Sequence, residues 1–189
     1  MIRLGLIGGI GSGKSHAAKS FGYPVFNADL EVSKLYKSSR VCYNKIKKAL
    51  NKNSISYPIK KEELSKAIIS NNLNLKKIIK IVHPLIRIRM NKFLRKNKKK
   101  KIVVLDIPLL LENKLNKKKD VLIYVDAKRN DVLKKLKKRK NFNLKIFKKF
   151  EKIQFSKEYK KKNSQFILKN DFTNKTLRKG IKQIIKKIL

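Results

Sequence analysis

Cysteine is almost absent from this 189-residue chain: Cys42 stands alone, so no intramolecular disulfide can form. A reducing, cytoplasmic setting is the expectation. Long apolar runs are missing as well. Lysines interrupt every apolar segment before it reaches the roughly 18 to 20 residues needed to span a bilayer, and no membrane partner is expected. The segment after Met1 enters a strand-like run and a glycine cluster directly, without the basic, apolar and small-residue order of a signal peptide. There is no Gly/Ser linker and no internal repeat, and this length suits one domain with a real core.

Acidic residues are the other scarcity, with 12 Asp and Glu against 52 Lys and Arg and a formal charge of +40. So large a charge gathers polyanions. Its composition argues against a dedicated nucleic-acid reader, since 44 of these residues are lysines and only eight are arginines. They are scattered beside many Asn and Ile. All three residue types are served by A/T-rich codons, so genome base bias explains the excess, whereas specific readers gather Arg and aromatics on one face. No specific nucleic-acid partner is expected.

Along the chain, Ile2 to Ile7 is a short apolar run that stops at glycines, the pattern of a buried parallel strand entering a phosphate loop. A helix is expected from about Lys14. Tyr23 to Phe26 reads as a second strand, ending at Asn27-Ala28-Asp29 on the carboxyl edge where open α/β sheets bind ligands. From Leu30 to about Asn97 apolar residues recur at three- and four-residue spacings (Leu64, Ala67, Ile68; Ile78, Ile79, Val82), which predicts a helical insertion. Ile102 to Leu105 and Val121 to Val125 are strands, each followed by an aspartate, Asp106 and Asp126. Arg129 to Lys162 is a basic helical segment with a stripe of Val132, Leu133 and Leu136 and a break near Asn141 to Asn143. It is either a lid over phosphates or a solvated surface. Phe166 to Leu168 is the last strand, and Leu177 to Ile188 a closing amphipathic helix. The fold class predicted is α/β, a mostly parallel sheet flanked by helices.

Gly8-Gly9-Ile10-Gly11-Ser12-Gly13-Lys14-Ser15 fits G-x-x-x-x-G-K-[ST] between a predicted strand and a predicted helix, the context that gives this pattern meaning. Backbone N–H groups from Gly9 to Gly13 would cradle phosphates. Lys14 would reach the β/γ-phosphates, and the Ser15 hydroxyl would face Mg²⁺. The competing reading is a glycine-rich turn that binds nothing.

From end to end the sequence resembles the dephospho-CoA kinases. The resemblance rests on the opening Gly5 to Ser15, the pair Ala28-Asp29, His83-Pro84-Leu85-Ile86-Arg87 in the insertion, and Asp106-Ile107-Pro108-Leu109-Leu110-Leu111-Glu112 after a strand. It thins after about residue 140. It implies a P-loop core (about 1–29, 98–128 and 163–189), a helical substrate subdomain (about 30–97) and a lid (about 129–162). It also implies ATP and dephospho-CoA as ligands and Mg²⁺ as cofactor.

By the same resemblance Asp29 is the candidate base, although an aspartate just before a helical pattern also reads as an N-cap. Asp106 is a candidate for the Mg²⁺ shell or for substrate contact, or simply ends a strand. Arg87 pairs with a phosphate or caps a helix, and His83 shapes the substrate pocket or is structural. Arg139 matches the lid arginine over the ATP phosphates, and Asn170 an asparagine near adenine. The chain departs from the family at His16, commonly Thr, beside the α-phosphate. It departs again at Asn27, often Asp, at Leu111, often Phe, and at Ser164-Gln165, often Ala-Asp. Another small-molecule or nucleotide kinase, a basic nucleic-acid binder on a P-loop fold, and an inactive relative are the rival readings.

Overall fold

The computed structural model describes residues 1–51, 53–138 and 142–189. Five strands form one wholly parallel sheet: β1 (Ile2–Ile7), β2 (Val25–Asn27), β3 (Ile102–Asp106), β4 (Val121–Asp126) and β5 (Phe166–Lys169), in the order β2-β3-β1-β4-β5. The α/β expectation holds. β1 lies between β3 and β4, so the chain winds outward to both sides from it, and the crevice at its carboxyl end is the switch point where such sheets bind ligands.

The strands are short and apolar because both faces are covered. All five residues of β3 are buried. Leu4, Leu6, Ile102, Val104, Ile123 and Val125 form one face with Ala17 and Ala18 of α1 (Lys14–Ser20) and Leu177, Ile181 and Ile184 of α9 (Asn174–Ile188). Each large side chain taken out of water here contributes about 1.5 to 3 kcal/mol.

Two boundaries differ from the pattern reading. Pro24 has no N–H to give, so only its carbonyl joins the ladder, accepting from Val104 N at 2.9 Å, and β2 begins at Val25 instead of Tyr23. Helix α9 starts before its apolar stripe because Thr173 caps it, accepting from Thr176 N at 3.3 Å. The basic segment holds three described helices: α6 (Arg129–Lys137), α7 (Leu144–Lys152) and α8 (Lys157–Lys162). The expected break near Asn141 falls partly outside the described residues. A further break precedes α8, where Ser156 accepts from Tyr159 N at 3.1 Å.

The chain divides into two compact units, Met1–Asn27 with Asn97–Leu189, and Ala28–Lys96. The second is helical: α2 (Ala28–Ser38), α3 (Arg40–Ala49), α4 (Lys61–Ser70) and α5 (Asn72–Lys96). Ile78, Val82, Ile86 and Met90 are buried at four-residue intervals along α5, which packs against α2, α3 and α4. Among the described residues no helix is long and apolar enough to cross a membrane.

One charge hides inside the first strand. Arg3, within the apolar run of β1, is 8% exposed and pairs with the buried Asp120 at 2.9 Å. Burial pushes the Asp120 carboxyl upward, and the Lys117 backbone N–H and the Arg3 guanidinium counter it. Removing one member strands the other charge, so Asp120→Ala should cost about 3 kcal/mol in urea unfolding, while Arg3→Met/Asp120→Leu should recover most of that loss.

Candidate active site

The turn between β1 and α1 is a backbone that side chains would disrupt. Gly11 and Gly13 have φ of 75° and 89°, the left-handed region that glycine enters at little cost. Neighbours also close both positions. A Cβ at Gly11 would meet Val132 Cγ1 of α6 at 2.9 Å, and one at Gly13 would overlap Asn170 Nδ2. The first helix of the basic segment is therefore seated directly on the glycine loop.

Asn170 follows β5 and is 4% exposed. Its side-chain amide donates to Ser12 O at 2.8 Å, and its Oδ1 accepts from Phe172 N at 3.0 Å. Its own N–H donates to Asp126 O at 2.8 Å. One residue thus ties the loop to the ends of β4 and β5. Lys14 is 8% exposed, with Nζ donating to Gly9 O at 2.7 Å and Gly8 O at 3.2 Å. Its ammonium lies across the loop it belongs to. His16 Nε2 lies 3.1 Å from Asn174 Oδ1, so the histidine that replaces the common Thr joins the ends of α1 and α9.

Asp106 ends β3 in register with Leu6 of β1 and Asn27 of β2, and is 3% exposed. Asn27 Nδ2 donates to its Oδ2. The departure at residue 27 has a physical consequence. An amide offers Asp106 a donor where a second carboxylate would repel it. Ser15 sits exposed in the first turn of α1. Hydroxyl and carboxylate oxygens suit Mg²⁺, which keeps several waters and leans on substrate phosphates. The described residues contain no group of three or more His, Cys, Asp and Glu that could hold a metal.

The basic segment is more than a solvated surface. Lys160, 2% exposed, pairs with Glu112 at 2.8 Å, and Glu112 also accepts from Phe155 N at 3.0 Å. Lys161 and Lys157 hold Asp126 at 2.7 and 3.2 Å. Burial pushes the Asp126 carboxyl up, but these donors outweigh it and leave it below the usual range. Pattern reading missed both ion pairs, because nothing in a lysine run marks which lysine turns inward. Arg139 lies outside the described residues.

The remaining candidates belong to the helical unit. Helix α2 begins at Ala28, so Asp29 is exposed inside its first turn and is not the N-cap; its charge there complements the helix dipole. His83 and Arg87 lie one turn apart on α5, His83 half-buried and Arg87 exposed. Burial, then the Arg87 charge, lowers the pKa of His83. Glu31 accepts from Lys34 at 2.6 Å and from Arg89 at 2.8 Å, joining α2 to α5, and neither Glu31 nor Arg89 was marked in the sequence.

The family model described as dephospho-CoA kinase matches residues 2–176. The chain belongs to the dephospho-CoA kinase family. The dephospho-CoA kinase of Bartonella henselae is 32% identical over 98% of this chain and 97% of its own length, and that of Bacillus cereus 31% identical over 97% and 96%. Among solved structures, TT1252 of Thermus thermophilus superposes with a TM-score of 0.75 at 25% identity, covering 100% of this chain and 98% of its own. The dephospho-CoA kinase of Campylobacter jejuni gives 0.65 at 22% identity, covering 98% and 96%. Shikimate kinase of Bacteroides thetaiotaomicron gives 0.55 at 11% identity, covering 99% and 98%, a likeness of fold alone.

The two ends of the glycine loop should respond differently to a methyl group. Gly13→Ala, strained and blocked by Asn170, should lose about 2 kcal/mol of stability. Gly9→Ala has nothing within 4 Å of its new Cβ. It should stay within about 1 kcal/mol of the parent in thermal unfolding. For His83, a lowered folded pKa means that the unfolded chain binds the proton more readily. Stability should fall as pH drops through the ordinary histidine value of about 6.5. His83→Gln should shrink the drop in Tm between pH 7.5 and 5.5, and an unchanged drop would refute this.

Proposed function

We propose that this chain transfers the γ-phosphoryl group of ATP to the ribose 3′-hydroxyl of dephospho-CoA in the cytoplasm, giving CoA and ADP. The reading rests on family membership across residues 2–176 together with one observation, a braced phosphate loop whose neighbouring strand ends in the buried Asp106.

Phosphoryl transfer asks a protein mainly for positioning and for cations where charge develops. The loop from Gly9 to His16 takes the ATP phosphates, and Lys14 turns from the Gly8 and Gly9 carbonyls to the β/γ-oxygens. Asn170 holds the loop in shape near the adenine side. Arg139 adds a planar cation over the phosphates. His83 and Arg87 bind dephospho-CoA within the helical unit, and Asp106 serves substrate contact and metal. The residues that would hold Mg²⁺ are Ser15 and Asp106, and the ion would supply neutralisation of phosphate charge. Asp29 accepts the proton of the 3′-hydroxyl as its oxygen bonds to the γ-phosphorus. The bond from that phosphorus to the β,γ-bridging oxygen breaks, and ADP leaves with the electron pair.

ADP production by purified protein with Mg²⁺-ATP, offered dephospho-CoA, AMP, shikimate or buffer alone, tests the reading. Turnover is expected with dephospho-CoA only. Lys14→Ala and Asp29→Asn should each lower kcat at least about 100-fold. Turnover on AMP or shikimate instead would keep a kinase and discard the acceptor.

A further inference from the structure

Phe172 does something that a phenylalanine ordinarily avoids. Its φ is 66°, and among the described residues only Lys114 shares a positive φ without being glycine. For a bulky side chain this conformation is an outlier, and such strain persists where surrounding groups over-determine it. They do so here. Phe172 N donates to Asn170 Oδ1 at 3.0 Å, while Asp171 Oδ1 accepts from Thr173 N at 2.8 Å and Thr173 Oγ1 at 2.7 Å. Thr176 Oγ1 closes the turn on Asp171 Oδ2 at 2.7 Å.

The strain does not serve the core. Phe172 is half-exposed and stands apart from the apolar cluster between sheet, α1 and α9. Its ring instead reaches the last glycine of the phosphate loop, with Cε1 3.6 Å from where a Gly13 Cβ would sit. Over the ring, at 4.7 Å from its centroid, lies the ammonium of Lys135, an exposed side chain of α6.

A nucleoside whose phosphates lie in the loop extends only one ribose beyond it, so its base falls against the segments bordering the loop. Against the loop glycines the described residues bring the end of β4, through Val125 O at Gly8, helix α6, through Val132 and Leu136 at Gly11, and the turn after β5, through Asn170 and Phe172 at Gly13. Phe172 is the one aromatic side chain among these residues. We infer that the Phe172 ring is the platform on which the base of the bound nucleotide stacks, taking the place of the Lys135 ammonium. The turn thus holds a strained aromatic for nucleotide affinity rather than for stability. This rests on the P-loop kinase reading above and names a residue that sets affinity for the phosphoryl donor.

The test compares binding of MgADP with binding of tripolyphosphate, which has no base, in the wild type and in Phe172→Ala, Phe172→Gly and Phe172→Tyr. Loss of one stacking contact should weaken MgADP about tenfold in the Ala and Gly proteins and leave tripolyphosphate within about twofold. Phe172→Tyr should retain MgADP affinity. Phe172→Gly also relieves the backbone, so its Tm should rise by about 2 to 4 °C, which separates lost affinity from lost folding. Unchanged MgADP affinity in both small variants would overturn the inference. So would equal weakening of both ligands, or a wild type that binds no MgADP. A protein that binds MgADP through Phe172 yet leaves dephospho-CoA unphosphorylated would sink the proposed reaction and leave the platform standing.

Discussion

The contact on which the nucleotide half of the molecule depends is the close approach of the Asn170 amide to the phosphate loop. Its hydrogen bond to Ser12 O and its position against Gly13 couple the far end of the sheet to the turn after β1. Because its own backbone N–H bonds to Asp126 O, the same residue registers the loop against β4. A turn built on left-handed glycines forms few regular backbone hydrogen bonds of its own, so an outside brace fixes its shape. Gly13 is glycine because the brace leaves no room for a side chain.

Scarcity of carboxylates shapes the rest. With 12 acidic residues against 52 basic ones, four of the carboxylates stand out for organising structure. Asp120 secures Arg3 inside the sheet, Glu112 draws Lys160 into the body of the nucleotide unit, and Asp126 gathers Lys157 and Lys161 at the end of β4. Glu31 bridges Lys34 and Arg89 in the helical unit. Buried pairs such as Arg3–Asp120 gain little over apolar residues of equal volume but are costly to break singly. They specify arrangement more than they add stability.

The segment between β4 and β5 joins both themes. Its first helix rests on Gly11 through Val132 and Leu136, and its last is anchored by Lys160 and Glu112. Helix α7, between them, buries none of its nine residues. Its Glu151 instead pairs with Arg129 of α6 at 2.8 Å, a contact made at the surface rather than by burial.

Much of this was legible in the sequence. The order of strands and helices, the phosphate loop and the aspartate after β3 follow from local patterns, since apolar periodicity, glycine and the G-K-S triplet act over a few residues. Extending β2 back to Tyr23 failed because periodicity ignores the missing N–H of Pro24, and Arg3 inside an apolar run gave no sign of its partner at Asp120. The amide of Asn170 under the loop, the choice of Lys160 among many lysines, the Asn27 donor on Asp106 and the left-handed Phe172 were decided only by the tertiary structure. Each depends on groups from 79 to 158 positions apart or on a backbone angle set by neighbours, while Lys160 meets Glu112 across a whole strand and two helices. The sequence by itself determined which local pieces form. Packing alone decided which of its many similar polar side chains became partners, because a partner is chosen by distance in space and burial, and neither is written in local pattern.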